Sequence, residues 1–314
     1  MNEITGFKIS DGWIESLRGQ KNRVDQDRPY AWLVEKERTA DGTIEDTGII
    51  FLTNRECPYR CLMCDLWKNT TDEPISHGAI TRQVEWALER MPGIRHVKLY
   101  NSGSFFDEKA IPPSEYRNIA ALLDNFENVI VESHPRLIGE KCLSFRKMLK
   151  PGLEIALGLE TVHPDLLKKL NKKMTSDDFR KSVEFLNRNG IKSRAFILLR
   201  PPFLTESEGI EWAELSIDFA FDAGAGSCTV IPVRAGNGAM DNLRKSGLFT
   251  PPDIKSLEET VEYGIRFGSG RVFADLWDLE LFSGCAKCFD RRKERLTRMN
   301  LYQEISEPVV CTCC

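Results

Sequence analysis

No apolar run in this 314-residue chain approaches the ~20 residues that span a bilayer; the longest are of strand length. The opening segment, Met1-Asn2-Glu3-Ile4-Thr5-Gly6-Phe7, has neither a basic n-region nor an apolar h-region, so no signal peptide is expected. An excess of positive charge is also missing. The net charge is −4 and the pI about 5.8, so contact with nucleic acid has to rest on a local basic patch. There is no internal repeat longer than one βα unit and no low-complexity tract. What remains is a chain of ordinary composition, 41% hydrophobic and 29% charged, long enough to bury a sizeable core. Cysteine is plentiful, with ten in all. Without an export signal, that number argues for metal ligation in a reducing, cytoplasmic compartment rather than for disulfides.

From Gly48 onward, strand-like apolar runs alternate with helical patterns, the rhythm of a parallel sheet. The runs are 48–53, 96–100, 128–133, 153–157, 192–199, 227–232 and a weaker one at 271–275. Helices are predicted near 79–91, 114–126, 140–149, 176–189 and 206–223. The last carries Ile210, Leu215, Ile217 and Phe219 at roughly helical spacing. Gly190 and Gly224 read as helix C-caps. Six strands suit a partial βα barrel, in which chemistry sits at the C-terminal strand ends. Residues 1–46 are polar and charge-mixed, ending at the turn signal Asp41-Gly42. They read as an N-terminal extension before a core at 47–270, with 271–314 as a C-terminal extension.

The first strand runs into Cys57-Pro58-Tyr59-Arg60-Cys61-Leu62-Met63-Cys64, a Cys-x3-Cys-x2-Cys spacing. A structural zinc site normally closes four ligands, and iron–sulfur clusters are usually held by four thiolates, so three leave one iron open. A metal knuckle or three unrelated cysteines are the plainer alternatives. The spacing resembles the signature of the radical SAM superfamily. That resemblance implies a 4Fe-4S cluster on Cys57, Cys61 and Cys64, whose open iron is chelated by S-adenosylmethionine. It also implies the matching fold, a partial (βα)6 TIM-type barrel with a small cysteine-rich C-terminal metal-binding extension. The residue before the third cysteine, often aromatic in the superfamily and placed against the adenine, is Met63 here.

The other strand ends carry polar groups. Asn101-Ser102-Gly103-Ser104-Phe105-Phe106 follows the second strand; its small residues allow close backbone approach. By resemblance this turn holds the amino group of the methionine moiety, in a form similar to the branch containing the Elongator catalytic subunit. Glu132-Ser133-His134-Pro135-Arg136 ends the third strand and resembles a Glu-Ser/Thr-Arg-Pro segment of that branch. There Glu132 contacts the cofactor's ribose or the substrate, or else lies in a solvated loop. Glu160, in Gly158-Leu159-Glu160-Thr161, is a candidate cofactor contact or else a carboxylate favoured by the helix beginning near Asp165. Leu170-Asn171-Lys172-Lys173-Met174-Thr175 resembles the Asn-Arg/Lys-x-x-Thr segment of the same branch. Arg200, stopped by Pro201 and Pro202, suits bidentate binding of a carboxylate or phosphate, and Arg234 offers a second cation. Both arginines also suit internal ion pairs.

In the tail, Cys285-Ala286-Lys287-Cys288 and Cys311-Thr312-Cys313-Cys314 can close a four-thiolate site from Cys285, Cys288, Cys311 and Cys313, with Cys314 competing for the last place. Zinc and an auxiliary iron–sulfur cluster both suit it. Zinc is favoured because closing such a site folds a tail poor in apolar residues. Cys142 and Cys228 read as buried small hydrophobes. The helix Arg291–Arg298 reads as a solvated face or a phosphate-binding patch.

Together these segments resemble the radical SAM group that includes the archaeosine synthase radical SAM subunit. The resemblance implies an enzyme that cleaves S-adenosylmethionine to a 5′-deoxyadenosyl radical. The expected target is a modified base in tRNA, with lyase-like C–N cleavage, and a flavodoxin or ferredoxin as reductant. No acetyltransferase-like domain follows, so acetyl transfer is not implied. The alternatives are a radical enzyme on an anionic small molecule or natural-product intermediate, and a non-catalytic iron–sulfur or zinc interaction protein. No membrane partner is expected.

Overall fold

The computed structural model describes residues 8–312. Its frame is one eight-stranded sheet: β1 (Ala31–Arg38), β2 (Ile44–Phe51), β3 (His96–Tyr100), β4 (Asn128–Ser133), β5 (Gly152–Glu160), β6 (Lys192–Leu199), β7 (Ser227–Pro232) and β8 (Arg271–Ala274). The strands lie in chain order. β1 and β2 pair antiparallel and every later pair is parallel. β8 does not pair with β1, so the sheet forms a partial barrel with a seam between its edges, and the helix Ala286–Tyr302 packs against both edge strands. Near the base of the seam, Arg271 Nη1 donates to the Arg38 carbonyl at 2.8 Å. No described helix is long and apolar enough to cross a membrane.

Side-chain alternation builds two cores. Val97, Leu99, Val129, Val131, Ile155, Leu157, Ala195, Ile197 and Val230 face outward and are buried beneath an α-helical layer. The helices Ala79–Leu88, Tyr116–Leu122, Glu140–Met148, Ser176–Arg188, Glu206–Asp222 and Ile254–Phe267 supply that layer. Thr175 with Asp178, and Thr205 with Glu208, form capping boxes at two helix starts. Gly190 and Gly224 take φ of +66° and +97°, the left-handed geometry expected of C-caps. Cys142 and Cys228 are fully buried.

The inward positions are layered. At the base, Lys98 pairs with Glu35 at 2.7 Å and with Glu37; Arg194 pairs with Glu37 at 2.6 Å and Glu154 at 2.8 Å. The cations Arg194 and Lys98 hold Glu37 far below the usual carboxylate range against the cost of its burial. Above this layer Tyr100 lies 6.1 Å from Phe51 and 6.2 Å from Phe196 between ring centroids. The base of the barrel is therefore filled by paired charges beneath a layer of rings, at the end opposite the C-terminal strand ends.

Several expectations change. The weak seventh run is a true strand, β8. The charged segment Glu35-Lys36-Glu37-Arg38 belongs to β1, and Asp41-Gly42 is the turn joining β1 to β2. The sheet thus reaches into both expected extensions. Helices at Asp11–Ser16, Ala239–Lys245 and Ile254–Phe267 went unanticipated. Leu215 is exposed, not part of the apolar face. Arg292 and Arg295 are buried, not solvated or free for phosphate: Arg292 pairs with Glu258, and Arg295 pairs with Glu262 at 2.6 Å. Glutamates from the helix 254–267 draw these cations inward.

Candidate active site

The cysteine loop leaves β2 and crosses the upper end of the barrel. Its backbone is tied down from three directions. Leu62 N donates to the Leu170 carbonyl at 2.9 Å, and the Asn171 amide donates to the Arg60 carbonyl at 2.6 Å. Asn237, beyond β7, donates to the carbonyls of Leu62 at 2.8 Å and Cys64 at 3.1 Å. The N-terminal segment covers the outside, where Arg18 meets Glu56 at 2.7 Å and Asn171 donates to Asp11 at 2.6 Å. Ile14 and Leu62 share a second apolar cluster with Leu170, Leu198, Val233 and Met240. Burial pushes the thiols of Cys57, Cys61 and Cys64 up to about 12. Thiols so shielded become thiolates when a cation binds, releasing protons.

The turn after β3 packs directly on this loop. A Cβ on Gly103 would lie 3.2 Å from Cys57 Cβ, so the glycine permits close approach. Asn101 is fully buried, yet neither its side-chain oxygen nor its nitrogen has a partner. Ser102 takes φ +51° and donates from its hydroxyl to the Tyr30 oxygen at 3.2 Å; Ser104 Oγ accepts from His134 N at 2.8 Å. Glu132 Oε1 accepts from Asn101 N at 2.6 Å. Burial raises its carboxyl to about 7, moderated by the N–H groups of Asn101 and Gly103.

Glu160 is placed by an irregularity. The β5–β6 register shifts between Gly158 and Glu160, and Glu160 takes φ +66°. Its Oε1 meets Lys172 Nζ at 2.5 Å, with both side chains buried. Gly158 makes room for the pair, since a Cβ there would lie 2.5 Å from Lys172 Nζ and also strike Glu160. Burial works against the Lys172 charge, but Glu160 and then Cys61 more than offset it, so its pKa is raised. His134 stacks on Tyr59 of the cysteine loop, centroids 3.9 Å apart, and its Nε2 contacts the Lys172 carbonyl at 2.9 Å. Burial lowers His134 to about 3, so the ring is neutral.

The structure thus brings Cys57, Cys61, Cys64, Asn101, Ser102, Gly103, Ser104, Glu132 and Glu160 to one end of the barrel. Met63 lies partly buried against the second apolar cluster. Arg200 is instead engaged with Glu206 and the Pro251 carbonyl, and Arg234 with Asp278 at 3.0 Å. Lys172 escaped the sequence reading as a charged contact. Its signal was the Asn171-Lys172 pair beyond β5, which looks solvated until Glu160 is placed beside it.

The tail gathers a second group of thiols. Sulfurs of Cys285, Cys288 and Cys311 lie within 4.8 Å of one another, with 3.9 Å between Cys285 and Cys311. Cys313 lies outside the described residues.

The chain is 27% identical over its full length to an uncharacterised protein of Methanocaldococcus jannaschii, covering 93% of that protein. It is 29% identical to the archaeosine synthase subunit beta of Thermococcus kodakarensis, over 68% of this chain and 69% of that one. In fold it is similar to the archaeal Elp3 of Methanocaldococcus infernus solved with an N-terminal deletion. That match has a TM-score of 0.53 at 14% identity, over 70% of this chain and 59% of the other. The family model of the radical SAM superfamily matches residues 51–215, from the last residue of β2 through the cysteine loop and β3 to β6. By that match the chain belongs to the radical SAM superfamily and is an enzyme.

Proposed function

We propose that Cys57, Cys61 and Cys64 hold the 4Fe-4S cluster implied by the family, and that the enzyme acts on a modified base in tRNA by radical-induced C–N cleavage. The observation that carries this reading is the convergence of the cysteine loop, the Asn101–Ser104 turn and the Lys172–Glu160 pair above the filled base of the barrel. The residues fit the cofactors. Three thiols from one loop leave an open iron, and the partnerless Asn101 amide awaits a polar group beside Gly103. When bound, the cluster and S-adenosylmethionine supply an electron and a 5′-deoxyadenosyl radical that takes hydrogen from the substrate.

The chain's own groups prepare that chemistry. Lys172 places a cation beside Cys61 and Cys64 that favours their thiolate forms, and Glu160 holds it in place. Asn101, Ser102, Gly103 and Ser104 cradle the methionine moiety, while Met63 and Glu132 contribute to the nucleoside side. The Tyr59–His134 stack braces the cysteine loop, and the rings of Phe51, Tyr100 and Phe196 keep water out from below. Arg200 acts through the loop that it fixes with Glu206. The tRNA target rests on similarity to proteins named archaeosine synthase subunit beta. Engagement of Arg200 and Arg234 by internal carboxylates weighs against the anionic small-molecule alternative. A flavodoxin or ferredoxin in the cytoplasm is the reductant we expect.

For the tail we infer zinc. Tetrahedral Zn–S bonds of about 2.3 Å put sulfurs about 3.8 Å apart, close to the 3.9 Å between Cys285 and Cys311. A cubane cluster binds each thiolate at a different iron and spreads them wider. Cys313 is the proposed fourth ligand.

The test is anaerobic reconstitution, reduction and incubation with S-adenosylmethionine and bulk tRNA, followed by mass spectrometry of the nucleosides. Formation of 5′-deoxyadenosine together with a changed nucleoside is expected. Cleavage in a C57A/C61A/C64A variant would refute the assignment of the cluster.

A further inference from the structure

The seam between β8 and the β1–β2 hairpin carries groups that the proposed chemistry leaves unused. Asp275 N donates to the Val230 carbonyl at 2.9 Å, extending the parallel ladder one residue beyond β8. Strand alternation therefore turns Asp275 inward with Arg271 and Phe273. One carboxylate oxygen accepts from Trp277 N at 3.1 Å; no described hydrogen bond engages the other. Trp277 stands edge-on to Phe51, centroids 5.8 Å apart and planes 62° apart, and remains 48% exposed. Its backbone is nonetheless fixed. Arg234 donates to the Trp277 carbonyl at 3.4 Å and to Asp278 at 3.0 Å, and Asp278 takes φ +51°. Among the described residues, no group hydrogen-bonds the Tyr100 hydroxyl within the neighbouring aromatic layer.

We propose that Trp277 and Asp275 form a substrate subsite at the seam that takes a planar heterocycle bearing N–H donors. Trp277 is half exposed on a fixed backbone with its ring against Phe51, which suits the indole as a stacking platform. The carboxylate accepts N–H donors from the edge of the stacked ring and repels phosphate, so the subsite takes a base and not its backbone. This inference rests on the reading above that the substrate is a base, and narrows which edge of it is recognised.

The experiment uses the full reconstituted chain with guanosine 5′-monophosphate as the probe and ribose 5-phosphate as the ring-free control, followed by saturation-transfer NMR and calorimetry. Saturable binding of the nucleotide alone is expected. W277A should weaken it roughly tenfold or more, while W277F should stay within about threefold. D275N should weaken it as well. Melting temperature and cluster absorbance establish that each variant is folded. Absent binding to the wild type, or equal affinity in W277A and D275N, overturns the subsite. If the wild type fails to bind yet still cleaves S-adenosylmethionine, the subsite falls and the enzyme reading stands. If Trp277-dependent binding persists while tRNA nucleosides are unchanged, the tRNA reading falls and the subsite stands.

Discussion

Lys172 Nζ lies 2.5 Å from Glu160 Oε1 beneath the cysteine loop, and neither residue is more than 9% exposed. Removing one partner strands the other as a buried charge. K172M should therefore destabilise the cluster-free protein by about 3–5 kcal/mol, read by denaturant unfolding. The double variant K172M/E160L should recover much of the loss. If the single variant unfolds like the wild type, the pair is not enclosed as described.

Gly158 tests the same pair from the backbone side. G158A places a methyl group against Lys172 and Glu160, and overpacking of this kind costs about 1–3 kcal/mol. Weaker S-adenosylmethionine binding should accompany the loss, measured by calorimetry on the reconstituted protein. Unchanged affinity would separate the pair from the cofactor.

Glu132 predicts a pH signature. Its folded pKa of about 7 lies above the ordinary 4.5, so between these values the folded state holds a proton that the unfolded chain has lost. Its contribution therefore falls as pH rises through that window. His134 works oppositely: lowered to about 3, it adds stability as pH climbs from there toward 6.5. Comparing E132Q with wild type isolates the first effect. The wild type should lose stability relative to E132Q from about pH 4.5 to 7, and parallel curves would refute it.

For the tail, metal analysis of the C57A/C61A/C64A variant should find zinc near one equivalent per chain. Chelation should expose residues 303–312 to protease while the barrel stays folded. Retained iron and sulfide would identify an auxiliary cluster instead.

What the sequence displayed was apolar alternation and cysteine spacing, because both are local patterns. β2 to β7 and the polar strand ends were visible for that reason. Residues whose roles depend on distant charges were not. Glu37, Arg194, Arg292 and Arg295 look solvated until strands and helices far apart in the chain bring their partners. β1 was hidden by the same cause, since its charges point into the barrel floor. Trp277 gave no signal because only the fold makes it a neighbour of Phe51.

The filled base has a kinetic consequence. With Glu37, Lys98, Glu154 and Arg194 filling the barrel beneath its ring layer, no small molecule passes through the base, and arrival and departure are confined to the upper end and the seam above it. Whatever binds deepest has to enter first and leave last. Steady-state turnover should therefore follow an ordered sequence, with the product of the last-bound partner released before the fragments of the first.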